Sequence, residues 1–299
     1  MDWQPAIKGF RSYLKLERSL AENSILAYER DIEKLYQFSD IQSPRIKPET
    51  VTLTDLRNFM VWLGELGMIP TTQARIVSGV KTFYKYLLMH DVIDINPSEL
   101  LEAPKTRRKL PAVLTIADID MLIAAIDLSK PEGPRNKAIL EVLFSCGLRV
   151  SELTNLKISN LFLNIDFIKV TGKGSKERLI PIGSEAKKAL TIWLDEVRVH
   201  THPKKGEDDY VFLNRRGAHL TREMVFIIIR QLVVATGLKK AISPHTFRHS
   251  FATYLIEGGA DLRAVQEMLG HESITTTEIY THLDREFLRS TIIEFHPRS

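Results

Sequence analysis

The segment SPHTFRHSFATYLIEGG, residues 243–259, holds the densest set of side chains able to handle a phosphate. Ser243 is a good helix N-cap, and Pro244 suits the first helical position. Phe247, Phe251 and Leu255 form an apolar stripe, while His245 and Arg248 project from another side. Both lie in the first turns, where free N–H groups and the positive end of the helix dipole attract anions. A capping histidine and a surface arginine explain the pair equally well, and His249 reads as structural. In CGLRVSEL, Arg149 sits between two helices, after Gly147 and before Ser151, the expected cap of the second. Leu143, Phe144, Leu148 and Val150 are apolar, so the guanidinium is expected to be partly buried, with Glu152 fixing its orientation. Taken alone, this is more simply a structural Arg–Glu pair.

Three further residues stand alone in their segments. Lys173, in TGKGSKER, falls at a turn from which its ammonium could reach across a groove. The phosphate-loop pattern G-x-x-x-x-G-K-[ST] is absent, and the flanks read strand–turn–strand. His271, in EMLGHESI, follows Gly270 between two helical segments. In TTTEIYTHL, Thr275 and Glu278 make a capping-box pattern, and Ile279, Leu283 and Phe287 give the expected short helix an apolar stripe. Tyr280 lies about 100° around that helix from Ile279, so it is either a partly buried core tyrosine or a hydroxyl placed for chemistry. None of the 9 histidines forms an H-E-x-x-H pair, and the single cysteine, Cys146, cannot build a thiolate cluster, so no metal site is expected.

The elements that must position these residues divide the chain. Up to about residue 102 the pattern is helical throughout. PAIKGFRSYLKLER aligns Ile7, Phe10, Tyr13 and Leu14; AENSILAYERDIEKLYQFSD aligns Ile25, Tyr28, Ile32, Leu35 and Tyr36. A third helix is expected from a Thr54 cap to Gly67, and a fourth carries Ile76, Val80, Phe83 and Leu87. This predicts an all-α four-helix bundle over 1–102. A basic linker follows over 103–111, with Lys105, Arg107, Arg108 and Lys109 between two prolines, a composition that suits a sugar–phosphate backbone as well as solvent. Residues 112–299 read as a mainly helical domain with a small antiparallel sheet: LNIDFIKVTGKGSKERLIPI is a β-hairpin around its glycine turn, and DYVFLN is expected to add a strand. Helices are expected to start near Ser184, Thr221, Ser243 and Asp261. A separate C-terminal helix, DREFLRSTIIEF, carries Phe287, Leu288, Ile292, Ile293 and Phe295, which could dock on a neighbouring molecule or on its own domain.

The bulk numbers agree with a globular protein: 299 residues, 44% hydrophobic, 26% charged, net charge +4. No apolar run is long enough to span a membrane, no signal-peptide core opens the chain, and one cysteine favours a reducing, cytoplasmic setting. Basic residues concentrate in 201–250, where 9 Lys or Arg face 4 acids, whereas 251–299 holds 4 against 8. That asymmetry is compatible with a phosphate binder or with an ordinary solvated face.

Taken together and in this order, Arg149, Lys173, the HTFR of His245 and Arg248, the LGH of His271, and Tyr280 resemble the tyrosine site-specific recombinases. GLRVSEL, GKGSKERLIPIG, SPHTFRHSFATYLIEGGADLRAVQEMLGH, IYTHL and HPR are similar to the bacterial chromosomal Xer recombinases. The resemblance spans both expected domains and implies a SAM-like core-binding domain joined to the tyrosine recombinase catalytic fold, clamping DNA between them. It implies that Tyr280 attacks a phosphodiester to form a 3′-phosphotyrosyl link, with no metal and no ATP. By the same resemblance Arg149 and Arg248 hold the non-bridging oxygens, Lys173 is the general acid, His245 exchanges a proton with the tyrosine, His271 bonds the phosphate and Glu152 supports the site. Lys176 and Arg178 join the linker cations as candidate backbone contacts.

The implied partners are double-stranded DNA with a dif-like site, and a homo- or hetero-tetramer built with a second Xer-type recombinase. The DNA translocase FtsK is a candidate activator. A mobile-element integrase would share these residues, although the compact length argues for the Xer plan. A non-cleaving DNA-binding regulator on the same scaffold is the alternative from another class, and it would ordinarily lack one reacting group. A phosphate-binding metabolic enzyme fits less well, because no cofactor motif accompanies the arginines.

Overall fold

The computed structural model describes residues 1–105, 112–172, 176–270 and 282–299. The chain divides into two compact units, Met1–Lys109 and Leu110–Ser299. The first is built from α1 (Trp3–Leu16), α2 (Glu22–Asp40), α3 (Leu53–Glu65) and α4 (Pro70–Met89). Phe10, Leu14, Ile25, Ile32, Leu35, Leu56, Phe59, Val80, Phe83 and Leu87 close its core. The stripes read from sequence are the buried faces. The α3 cap, however, is Thr52, two residues before the expected Thr54. Thr52 Oγ1 accepts from Asp55 N–H at 3.2 Å, and Asp55 Oδ2 accepts from Thr52 N–H at 2.9 Å, so the acid three residues on selects the cap.

The second unit contains α5 (Ile116–Ala124), α6 (Gly133–Cys146), α7 (Val150–Thr154), α8 (Ser184–Ile192), α9 (Arg222–Thr236), α10 (Pro244–Gly258), α11 (Leu262–Leu269) and α12 (His282–Phe295). Its sheet is β1 (Leu161–Phe162), β2 (Phe167–Thr171) and β3 (Glu177–Pro181), antiparallel in that order. Thr171 pairs with Glu177 and Phe167 with Pro181, the register of the expected hairpin. Helix α6 is buried on every side over Ala138–Cys146, which makes it the central helix of the domain. The expected two-part fold, a helical bundle and a mainly helical domain with a small sheet, is the fold observed.

DYVFLN does not form the expected strand. It makes only the isolated bridges Lys157–Tyr210 and Leu213–His219. Side chains take carbonyls that a ladder would use: Trp193 Nε1 donates to Val211 O at 2.9 Å, and Arg135 Nη1 to Leu213 O at 3.0 Å. Helix α12 packs on its own domain through Leu288, Thr291 and Ile292, against Phe251, Leu255, Val265 and Met268. Phe287 and Ile293 point outward, 52% and 58% exposed. After α12, His296 is buried beside Phe144 and Phe251, and Arg298 pairs with Glu141 of α6 and Asp120 of α5. Among the described residues no helix is long and apolar enough to cross a membrane.

Candidate active site

The site is organised by the end of one short helix. Asp261 caps the start of α11, its Oδ1 accepting from the N–H groups of Arg263 and Ala264, and Gly270 ends it in the left-handed region at φ 64°. A helix end leaves carbonyls without intrahelical partners and carries partial negative charge. Three consecutive carbonyls here each accept from a different arginine. Arg178 Nε donates to Met268 O at 2.7 Å, Arg248 Nη2 to Leu269 O at 2.6 Å, and Arg149 Nη2 to Gly270 O at 3.1 Å.

Each arginine arrives by a different local route. Gly147 stops α6 in the left-handed region at φ 57°, where a Cβ would fall 2.4 Å from the Phe251 ring, so the chain turns tightly into Arg149. Arg149, not the expected Ser151, is the N-cap residue of α7, because Glu152 Oε2 accepts its backbone N–H at 2.8 Å. Arg248 lies one turn into α10, below a Ser243–Thr246 cap, and its Nη1 also donates to Gly147 O at 2.9 Å. Arg178 comes from β3, in phase with buried Ile180.

Glu152 joins two of these arginines. Its Oε1 accepts from Arg149 Nη1 at 2.8 Å and Arg178 Nη1 at 2.9 Å; its Oε2 accepts from Arg149 N–H at 2.8 Å and Arg178 Nη2 at 2.9 Å. Burial alone would raise its pKa, but the hydrogen bonds and charge of Arg178, with the hydrogen bonds of Arg149, win and hold it below the ordinary carboxylate value. Burial, with Arg149 and Arg178 nearby, brings Arg248 down to about 10, so it stays cationic at neutral pH. The cluster thus carries three positive charges against one negative, a standing excess suited to an anion with growing charge.

The structure therefore brings Arg149, Glu152 and Arg248 together. His245 is exposed at the second position of α10, one turn before Arg248, and among the described residues no hydrogen bond or ion pair ties it to the arginines. Lys105 and Lys176 are exposed. Arg178 departs from its expected place on a DNA backbone: it is 6% exposed, with both ends of its fork on Glu152. The signal that could have shown this is the strand alternation, which puts Arg178 on the same face as Ile180 and Ile182. Lys173, His271, Tyr280, Arg107, Arg108 and Lys109 lie outside the described residues, as do residues 275–281 of the expected short helix, whose later positions Leu283 and Phe287 fall within α12. Among the described residues no three His, Cys, Asp or Glu side chains converge on a metal-sized site.

A helical bundle followed by a mainly helical domain, with arginines from three segments on one helix end, provides a cationic site suited to a phosphate group. Two family models match in the corresponding order, the phage integrase N-terminal SAM-like domain over residues 7–90 and the phage integrase family over residues 112–286. The chain belongs to the phage integrase family and is a tyrosine recombinase of the Xer type. It is 40% identical to tyrosine recombinase XerD of Listeria monocytogenes, over 98% of this chain and 99% of that one. It is 42% identical to tyrosine recombinase XerD of Chlorobaculum tepidum, over 99% of this chain and 97% of that one. Its motif wording is likewise nearer XerD than XerC. Among solved structures it resembles XerH site-specific recombinase bound to difH substrate in a pre-cleavage complex (25% identity, 92% of this chain, 82% of that one, TM-score 0.67).

Proposed function

We propose that this enzyme cuts and rejoins DNA at a dif-like site, in the cytoplasm, and so resolves chromosome dimers. Tyr280 is the nucleophile: its oxygen forms a bond to the scissile phosphorus, the 5′-oxygen leaves, and a 3′-phosphotyrosyl link remains. A 5′-hydroxyl of the partner strand then attacks that link and releases the tyrosine. Arg149 and Arg248 hold the non-bridging oxygens, His271 bonds the phosphate, Lys173 protonates the leaving oxygen and His245 exchanges the tyrosine proton. Because the link conserves the phosphodiester energy, the cycle consumes no ATP.

One observation carries this reading: Arg149 and Arg248 occupy neighbouring carbonyls at the end of α11 while a saturated Glu152 orients the first of them. Guanidinium forks match phosphate oxygens as ammonium groups do not. The helical domain supplies a second support. Helix α4 contains no acidic residue and exposes Lys81 and Lys85 one turn apart, a suitable pair of cations for a phosphate backbone. The linker that follows in sequence would add the positive charge of Lys105, Arg107, Arg108 and Lys109. Phe287 and Ile293, left outward on α12, are the apolar contacts through which protomers of a homo- or hetero-tetramer would couple, with a second Xer-type recombinase on the same site and FtsK as activator.

The test is a nicked suicide duplex carrying the organism's candidate site, incubated with EDTA and resolved on denaturing gels. Wild type, alone or with the candidate partner recombinase, is expected to form a covalent protein–DNA adduct, and Tyr280→Phe is expected to form none. Tight binding without an adduct under either condition would favour a non-cleaving regulator.

A further inference from the structure

We infer that Arg178 is a positioning residue of the strand-cleavage site: it occupies half of Glu152 so that the other half presents Arg149 to the scissile phosphate. This rests on the recombinase reading above. Arg178 itself cannot touch DNA, being buried with its guanidinium spread over Met268 O and both Glu152 oxygens. The pocket is shaped for that fork. A Cβ on Gly270 would fall 3.0 Å from Arg178 Nη1, and one on Gly172 3.4 Å from the same atom. Lysine, a single point charge, cannot serve three acceptors arranged this way.

The consequence for Arg149 follows from counting acceptor sites. A carboxylate offers about four lone-pair directions. Arg178 fills two, and the Arg149 backbone N–H and Nη1 fill the others. Among the described residues, Arg149 is therefore held by one side-chain nitrogen on Glu152 and one on Gly270 O, and these bonds leave its Nε and remaining Nη hydrogens for a phosphate. Without Arg178, two buried Glu152 lone pairs would be vacant beside the Arg149 fork. The fork would close on them bidentately and turn from the phosphate, and the positive excess of the cluster would fall by one.

The experiment compares wild type, Arg178→Gln, Arg178→Lys, Glu152→Gln and the Arg178→Gln/Glu152→Gln double variant. The double variant carries no buried charge from this pair, so it guards against a simple failure of the single variant to fold. Single-turnover adduct formation is expected to fall about 100-fold in Arg178→Gln, the scale of a misplaced reacting group. DNA affinity should stay within about threefold, since the lost interaction acts on cleavage and not on uniform binding. The double variant should be no slower than Glu152→Gln alone, because Arg178 acts through Glu152. Arginine side-chain ¹⁵N spectra supply a readout independent of turnover: the Arg149 signal should move in Arg178→Gln while the Arg248 signal holds. An Arg178→Gln enzyme that cleaves at the wild-type rate, an additive double variant, or an unmoved Arg149 signal would overturn the inference. If wild type forms no adduct, the recombinase reading fails, and the spectra still decide whether Arg178 holds Arg149.

Discussion

Glu152 and Glu141 are both buried, both lie in the catalytic domain and both pair with arginine, yet their charge states are pushed in opposite directions. Glu152 has all four acceptor directions filled, and its pKa is lowered. Glu141 meets Arg298 Nη2 through Oε1 at 2.7 Å, but its Oε2 has no partner among the described residues, and neither does Arg298 Nε. Burial then dominates and raises its pKa. Depth is similar at the two sites; the number of hydrogen bonds differs. The carboxylate that holds Arg149 and Arg178 is surrounded completely, whereas the one that ties down Arg298 is served once.

The largest expected effect comes from breaking the complete site. Glu152→Ala should leave two arginines unpaired in a buried cluster and cost about 3–5 kcal/mol, read from urea or thermal unfolding. An ordinary surface pair would cost less than about 1 kcal/mol, so a small value would mean that the arginines find other partners. Next, Arg149→Lys and Arg248→Lys should each lower single-turnover cleavage about 100- to 1000-fold with the fold intact, the cost of losing one oriented donor at a developing charge.

How much of this contrast the sequence shows depends on what each residue's position is tied to. The pairing of Arg149 with Glu152 and the place of Arg248 in the first turns of its helix are legible because Gly147, Ser243 and Pro244 fix the local geometry. The stripes of α1, α2 and α4 are legible because a 3.6-residue period determines which face is buried. The state of DYVFLN is not legible, because an apolar run says that a segment is buried and nothing of what its carbonyls bond; Trp193 and Arg135 decide that from distant parts of the chain. Arg178 is a candidate backbone contact as a cation, but its phase along β3 points inward, and that phase decides its place. The Glu141–Arg298 pair was not legible at all, since nothing local links the end of the chain to the middle of α6.

The tail can be sharpened by pH. His296 is buried, and its pKa is lowered to about 4. Its Nε2 faces Phe144 O at 3.2 Å and its Nδ1 accepts from Arg298 N–H at 3.2 Å, which suits the neutral ring. The unfolded chain takes a proton near 6.5 while the folded one resists to about 4, so this contribution is complete above 6.5 and lost as pH falls toward 4. Across that window wild type should lose about 3 kcal/mol that His296→Gln does not. Matching profiles would mean that the tail opens and solvates the ring.

The smallest effect is expected at the incomplete site. Glu141→Gln keeps an acceptor for Arg298 Nη2, removes the cost of burying a charge, and brings an amide donor in place of Oε2. Arg298 retains Asp120. At neutral pH the change in stability should stay within about 1 kcal/mol, because the lost attraction and the lost desolvation offset each other. The pH profile separates this residue from His296 by sign. Burial raises the folded pKa of Glu141 above its unfolded value of 4.5, so its contribution is complete below 4.5 and declines as pH rises through the folded value. The histidine contribution grows with pH over the same region. Glu141→Gln should therefore steepen the rise of stability with pH that His296→Gln flattens. A Glu141→Gln loss as large as that of Glu152→Ala would show that one good hydrogen bond to Arg298 is enough to hold a buried carboxylate charged, and the contrast between the two sites would collapse.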